Sequence, residues 1–221
     1  MNAIPAKRAG RGPLAWAFII VVVTGGLSTS DAAGADRLVR EFETDREGAG
    51  AEALALARNA LNAWCLRHER IQPPADLPPL LGRRSGVFVS AIAGDAPRCC
   101  MGSLYPTRQT LAQEIIAAAV AAAGMDVRFP PIRPDELARL RVVVSIVDPP
   151  EPIVAPAHLD PAAEGLAVRS ASRWGVVLPG ETPHRELMVK WARIRAGAGD
   201  QERVEHFRLR AFRAIEPPRA D

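Results

Sequence analysis

Arg141-Val142-Val143-Val144-Ser145-Ile146-Val147 is a β-branched run with apolar residues at nearly every position. Val and Ile are stiff at χ1 and fit a pleated surface better than a helix, so the run reads as a strand. A strand wetted on one side would alternate apolar with polar residues. This one does not, and it is expected to be buried on both faces. Upstream, Gly86 to Ile92 reads as a second strand, with Val87, Val89 and Ala91 on one face, Phe88, Ser90 and Ile92 on the other, and a turn at Gly94-Asp95. Between them lies the clearest helix, Leu111 to Ala123. Thr110 with Gln113 three residues later matches a capping box, and Gly124 stands where a C-terminal cap belongs.

The remaining elements follow from the same periodicities. Ala51 to Arg67 places Leu54, Ala57, Leu61, Trp64 and Cys65 three or four apart, an amphipathic helix that Pro73, Pro74, Pro78 and Pro79 keep from continuing. Leu166 to Arg169 and Trp174 to Leu178 read as a hairpin across a Ser-Ala-Ser turn. Glu186 to Arg195 is a helix ending near Gly197, and Val204 to Phe212 is one strand with Phe207, Leu209 and Ala211 opposing Arg208 and Arg210. Helices and strands alternate without a βαβ rhythm or an internal repeat. The expectation is α+β, a largely antiparallel sheet packed by helices.

Composition narrows the class. Alanine supplies 39 of the 221 residues and aromatics only 5%, so the 48% hydrophobic content contains few large side chains. Charged residues at 24% and a mean hydropathy near zero exclude a polytopic membrane protein, a coiled coil and a disordered chain. The N-terminus has the layout of a signal peptide. Lys7, Arg8 and Arg11 precede an apolar run from Leu14 to Val23, too short to span a bilayer, and Ala33-Gly34-Ala35 offers a cleavage site before Asp36. An uncleaved anchor is the alternative. The expected organisation is residues 1–35 as signal, 36–50 as a linker ending in Gly48-Ala49-Gly50, 51–215 as one domain and 216–221 as a tail. Residues 1–35 hold three of the 28 basic and one of the 25 acidic residues, so the remainder has a net charge of about +1. With no basic cluster, nucleic acid is not an expected partner.

Four motifs in order carry a family resemblance: Gly86-Val87-Phe88-Val89, Arg98-Cys99-Cys100-Met101-Gly102-Ser103-Leu104, Asp126-Val127-Arg128-Phe129-Pro130-Pro131, and Val144-Ser145-Ile146-Val147-Asp148-Pro149-Pro150-Glu151-Pro152-Ile153. Residues 53 to 213 resemble the AMMECR family, whose prokaryotic members are called the A protein of the AmmeMemoRadiSam system. Cys99, Val127 and Gly180 stand where that family's pattern has glycine, proline and glutamine. The resemblance implies one α+β domain with a large and a small subdomain, no established reaction, and association with radical-SAM and Memo-type proteins, which export would separate from this chain.

Cys100 falls on the family cysteine and is the candidate nucleophile or redox thiol, with Arg98 as the candidate to stabilise a thiolate. Free cysteine is equally a small buried hydrophobe, and no base partner stands near it in sequence. Arg128 is a candidate anion-binding group, its architectural alternative being a pair with Asp126 or Glu151. Glu151 is the candidate carboxylate. The loop Arg98 to Leu104 is expected to border a cleft completed by Asp126 to Pro131 and Asp148 to Pro152. Adjacent Cys99 and Cys100 allow a strained vicinal disulfide, and Cys65 could pair with either instead. His68, His158, His184 and His206 are scattered, and Cys65 with His68 makes only half a zinc site, so no metal or cofactor is expected. The chain then reads as an enzyme using Cys100 on a small anionic substrate in an Arg-lined cleft, or as a non-catalytic module holding a small molecule or a protein there.

Overall fold

Residues 38–218 are described by the computed structural model of the chain, so the signal-peptide reading of residues 1–35 lies outside the described residues. Among these residues eight strands form two antiparallel sheets. The first joins β1 (Gly86–Ala93), β2 (Ala96–Ser103), β3 (Leu140–Val147) and β8 (Ala211–Ile215) in the order β2-β1-β3-β8. The second joins β4 (Glu151–Ile153), β5 (Gly165–Ser170), β6 (Arg173–Val177) and β7 (Glu205–Leu209) in the order β4-β7-β5-β6. Four α-helices accompany them among the described residues: α1 (Leu38–Thr44), α2 (Ala51–Arg67), α3 (Leu111–Gly124) and α4 (Arg185–Arg195).

β3 lies between β1 and β8 and is buried along both faces, as its lack of alternation requires. Val142, Val144 and Ile146 join Val87, Val89 and Ala91 of β1 in a core completed by Leu56, Ala57, Ala60 and Leu61 of α2 and Leu111, Ile115 and Ala119 of α3. The opposite face turns Phe88, Cys100 and Val147 toward Ala167, Trp174, Val176, Phe207 and Leu209 of the second sheet. That sheet's far side packs Leu166, Val168 and Val177 on Met188, Trp191 and Ala192 of α4. The layers therefore run helices, sheet, sheet, helix. The alanines of α2 and α3 permit their close approach. Gly124 contributes to it as the last residue of α3, because a Cβ there would lie 3.0 Å from the Trp64 indole nitrogen. At the other end of α3, Thr110 accepts from the Gln113 amide at 3.2 Å, while the Gln113 side chain accepts from Gln109 N at 3.1 Å.

Three readings of the sequence are corrected. The expected linker, over its described part, is structure: α1 buries Leu38, Val39 and Phe42, and a π-turn at Arg46–Gly50 leads into α2. Phe42 lies 5.3 Å from the Phe212 ring, and a Cβ on Gly50 would come within 2.7 Å of that ring, so this glycine makes room for packing. The motif read as a loop, Arg98 to Leu104, is mostly strand β2. The single strand at 204–212 is two strands in two sheets, β7 pairing with β4 and β5, and β8 with β3. Phe207, Leu209 and Ala211 all keep facing the space between the sheets across the switch, so the alternation passes through it unbroken.

If α1 is part of the core, Phe42→Ala should lower stability in urea unfolding by about 3–5 kcal/mol, as for other buried Phe truncations. A loss below about 1 kcal/mol would return the segment to a linker.

Candidate functional site

The facing sheets do not fill the space between them. A cavity of about 210 Å³ remains, floored by the inner face of the first sheet. Strand register sets two rows across that floor. In one, Cys100 of β2 opposes Ser90 of β1, which opposes Val143 of β3. In the other, Phe88 of β1 opposes Ser145 of β3, which opposes Arg213 of β8. The β1–β2 turn, with Gly94 and Asp95 exposed, forms the rim beside Arg141. Leu178, Gly180 and Glu181, following β6, line the cavity from the second sheet, with Arg195 from the end of α4 and Arg128 from the segment after α3.

Two buried ion pairs hold this lining. Arg195 Nη1 lies 2.8 Å from Glu181 Oε2, the two side chains being 1% and 8% exposed. Glu181 Oε1 also accepts from Leu178 N at 2.8 Å, and Arg195 donates to the Val176 carbonyl, so the pair ties the loop after β6 to α4. The second pair explains the Asp-Val-Arg motif. Asp126 accepts from Cys100 N at 2.8 Å, Arg128 donates to Cys100 O at 3.1 Å, and Arg128 Nε meets Asp126 Oδ1 at 2.7 Å. β2 is an edge strand, and its outward N–H and C=O at Cys100 would otherwise be unpaired. Burial works against the Arg128 charge, but the hydrogen bonds and charge of Asp126 outweigh it and raise its pKa.

Of the candidates, the structure brings Cys100 and Arg128 together at the cavity and leaves Arg98 and Glu151 elsewhere. Arg98 is engaged by Glu136 at 2.7 and 3.0 Å and by the Pro131 carbonyl at 3.2 Å. Glu151 on β4 is held by Arg208 at 2.6 Å and lies near Arg210 at 3.6 Å. Asp148 receives Val39 N at 3.3 Å, so the segment 148–152 does not complete the cleft. All three cysteines are free. Cys99 belongs to the helix-side core and Cys100 to the cluster between the sheets, so neighbouring strand positions send the two thiols to opposite faces. Burial, with the Glu181 charge, pushes the Cys100 thiol up to about 11, while the Ser90 hydrogen bond and the charges of Arg128 and Arg195 pull the other way. Burial likewise pushes Cys99 up to about 12. No histidine lines the cavity, and among the described residues no group of three or more His, Cys, Asp or Glu could hold a metal ion.

Ser90, Ser145, Glu181, Arg195 and Arg213 were not singled out by sequence. The two serines had a signal, since each interrupts an otherwise apolar strand. Arg195 looked like an ordinary basic residue closing a helix, and Glu181 like a loop carboxylate.

Comparison with known proteins agrees with this architecture. The AMMECR1 family model matches residues 54–216. A Thermotoga maritima protein is 38% identical over 146 residues, covering 63% of this chain and 83% of the relative. One from Thermococcus gammatolerans is 38% identical over 149 residues, covering 62% and 68%. The crystal structure of the uncharacterized protein PH0010 from Pyrococcus horikoshii superposes with a TM-score of 0.68 at 27% identity, covering 77% of this chain and 97% of that one. With its ordered motifs placed on the edge strand, the inter-sheet cavity and the central strand, this chain belongs to the AMMECR1 family.

Proposed function

We propose that the domain is a binding module for a small anionic molecule, held in the cavity between the two sheets. The observation that supports it is the charge at the cavity: three guanidinium groups of the lining, Arg128, Arg195 and Arg213, against the lining carboxylate of Glu181 and that of Asp126, which pairs with Arg128. Guanidinium forks suit an anion, and the attraction is stronger between the sheets than at a fully solvated surface. At the rim Asp95 and Arg141 add one charge of each sign.

The binding reading is preferred over a cysteine enzyme for a chemical reason. Nucleophilic attack needs a thiolate, and a thiol held near 11 is almost wholly protonated at neutral pH with no histidine beside it to take the proton. Cys100 then serves as a neutral wall, sharing a hydrogen bond with Ser90. In native protein at pH 8, Cys100 is expected to react with a limiting alkylating reagent no faster than Cys65, its rate rising only as pH approaches about 11. Selective labelling of Cys100 at pH 7 to 8 would restore the nucleophile.

The anion reading is checked by thermal unfolding with sodium acetate, benzoate, malonate or phosphate at constant ionic strength, against chloride. At least one anion is expected to stabilise the protein, by about 2.7 kcal/mol at a hundredfold excess over its Kd. Arg213→Gln should abolish the effect. No stabilisation by any of the four would sink the reading. We also propose export, supported by the layout of residues 1–35. Intact mass from a secreting host should lack those residues, and a full-length mass contradicts cleavage and favours the uncleaved anchor.

A further inference from the structure

Among the buried polar atoms of the cavity wall that make no hydrogen bond, two lie side by side. The Ser145 hydroxyl is buried on a side chain from a residue only 1% exposed, and it makes no hydrogen bond. Arg213 Nε is equally buried and unpartnered, while its Nη1 donates to Pro179 O at 2.7 Å. Buried polar groups are almost always satisfied, so an orphaned pair lining one cavity calls for an occupant. Ser145 and Arg213 are direct cross-strand partners on β3 and β8, which puts their side chains next to each other on one face. Both atoms can donate to the same acceptor group.

Charge then narrows what that group is. Asp126 neutralises Arg128, and Glu181 neutralises Arg195, each at hydrogen-bond distance. Among the described residues no carboxylate lies within ion-pair distance of Arg213; burial lowers its pKa, and the charge of Glu181, farther off, only partly offsets that. A single negative charge completes the site, whereas a second one would be left uncompensated in the interior. Gly180 fixes the loop over this corner. Its φ is +73, and a Cβ there would lie 2.8 Å from Arg213 Nη1, so only glycine leaves the guanidinium where it is. Away from Ser145 and Arg213 the lining includes Val143, Ile92 and Leu178, and the cavity leads to the rim at Gly94 and Asp95.

From this juxtaposition we propose that the ligand is a small monocarboxylic acid, its carboxylate bound by Ser145 Oγ and Arg213 Nε and its uncharged, partly apolar body lying along Val143, Ile92 and Leu178. At about 210 Å³ the space is smaller than the roughly 300–1,000 Å³ of drug-sized pockets, so the body is small. The proposal rests on the anion-binding reading of the same cavity and specifies its ligand class.

Calorimetric titration of the full chain with acetate, butyrate, benzoate, malonate and inorganic phosphate tests it. The monocarboxylates should bind at least about tenfold tighter than malonate or phosphate, and Ser145→Ala should weaken them about tenfold, the loss of one hydrogen bond to a charged group. Without ligand, Ser145→Ala should melt at or above the wild-type temperature, because it removes an unpaired buried hydroxyl. Arg213→Lys, which keeps the charge without the fork, serves where Arg213→Gln does not fold, and should weaken binding by more than tenfold. Tighter binding of phosphate or malonate overturns the ligand class and leaves the anion cavity standing. Unchanged affinity in Ser145→Ala overturns the subsite. Failure of every anion to bind overturns the cavity reading beneath both.

Discussion

β3 is buried along both faces from Val142 to Val147, and the rest of the molecule is arranged to satisfy it. On one side the supply of apolar residues is ample: α2 and α3 bring Leu, Ile and closely spaced Ala to Val142, Val144 and Ile146. On the other side it runs short. The chain has six Phe, four Trp and one Tyr in 221 residues. Phe88, Trp174, Phe207 and Tyr105 gather between the sheets, with Trp174 4.8 Å from Phe207 and 6.0 Å from Tyr105. Where the rings stop, serine hydroxyls and guanidinium groups line an open space.

Charges in such a space must be paired. Replacing a buried pair by apolar residues is often neutral or stabilising, whereas removing one partner is strongly destabilising, so these pairs matter more for position than for net stability. Asp126 and Arg128 close the edge of β2 at Cys100. Glu181 and Arg195 join the loop after β6 to α4 and so hold one wall of the cavity against the helix behind the second sheet. The shape of the site is therefore a consequence of where its permanent charges are satisfied, and Arg213 keeps a buried Nε that makes no hydrogen bond.

Much of the fold could be read from residue patterns because each pattern had one physical cause. The β-branched run of β3, the Thr110 cap and the spacing of Leu54, Leu61 and Trp64 are local signals, and local structure follows them. The sheet switch at residue 210 was invisible because the inward face does not change phase there, only the hydrogen-bonding neighbour. Residues 38–50 were misread because Gly50, which admits Phe212, looks like a glycine that releases a chain. The site was half legible. Cys100 and Arg128 were found through their motifs, but Arg98 was assigned to the thiol on nearness in sequence, when Glu136 holds it. Glu181, Arg195 and Arg213 meet only through tertiary structure, from a loop, a helix end and the last strand.

The cavity wall is set by a buried, mutually dependent ion pair, Glu181 with Arg195. A double-mutant cycle on Glu181→Gln and Arg195→Met, read by urea unfolding, tests it most directly. Each single change should cost about 3–5 kcal/mol by stranding its partner, and the double mutant should recover at least about 1 kcal/mol of their sum. Additive single losses below about 1 kcal/mol would contradict the account, because a pair that can be dismantled one half at a time positions nothing.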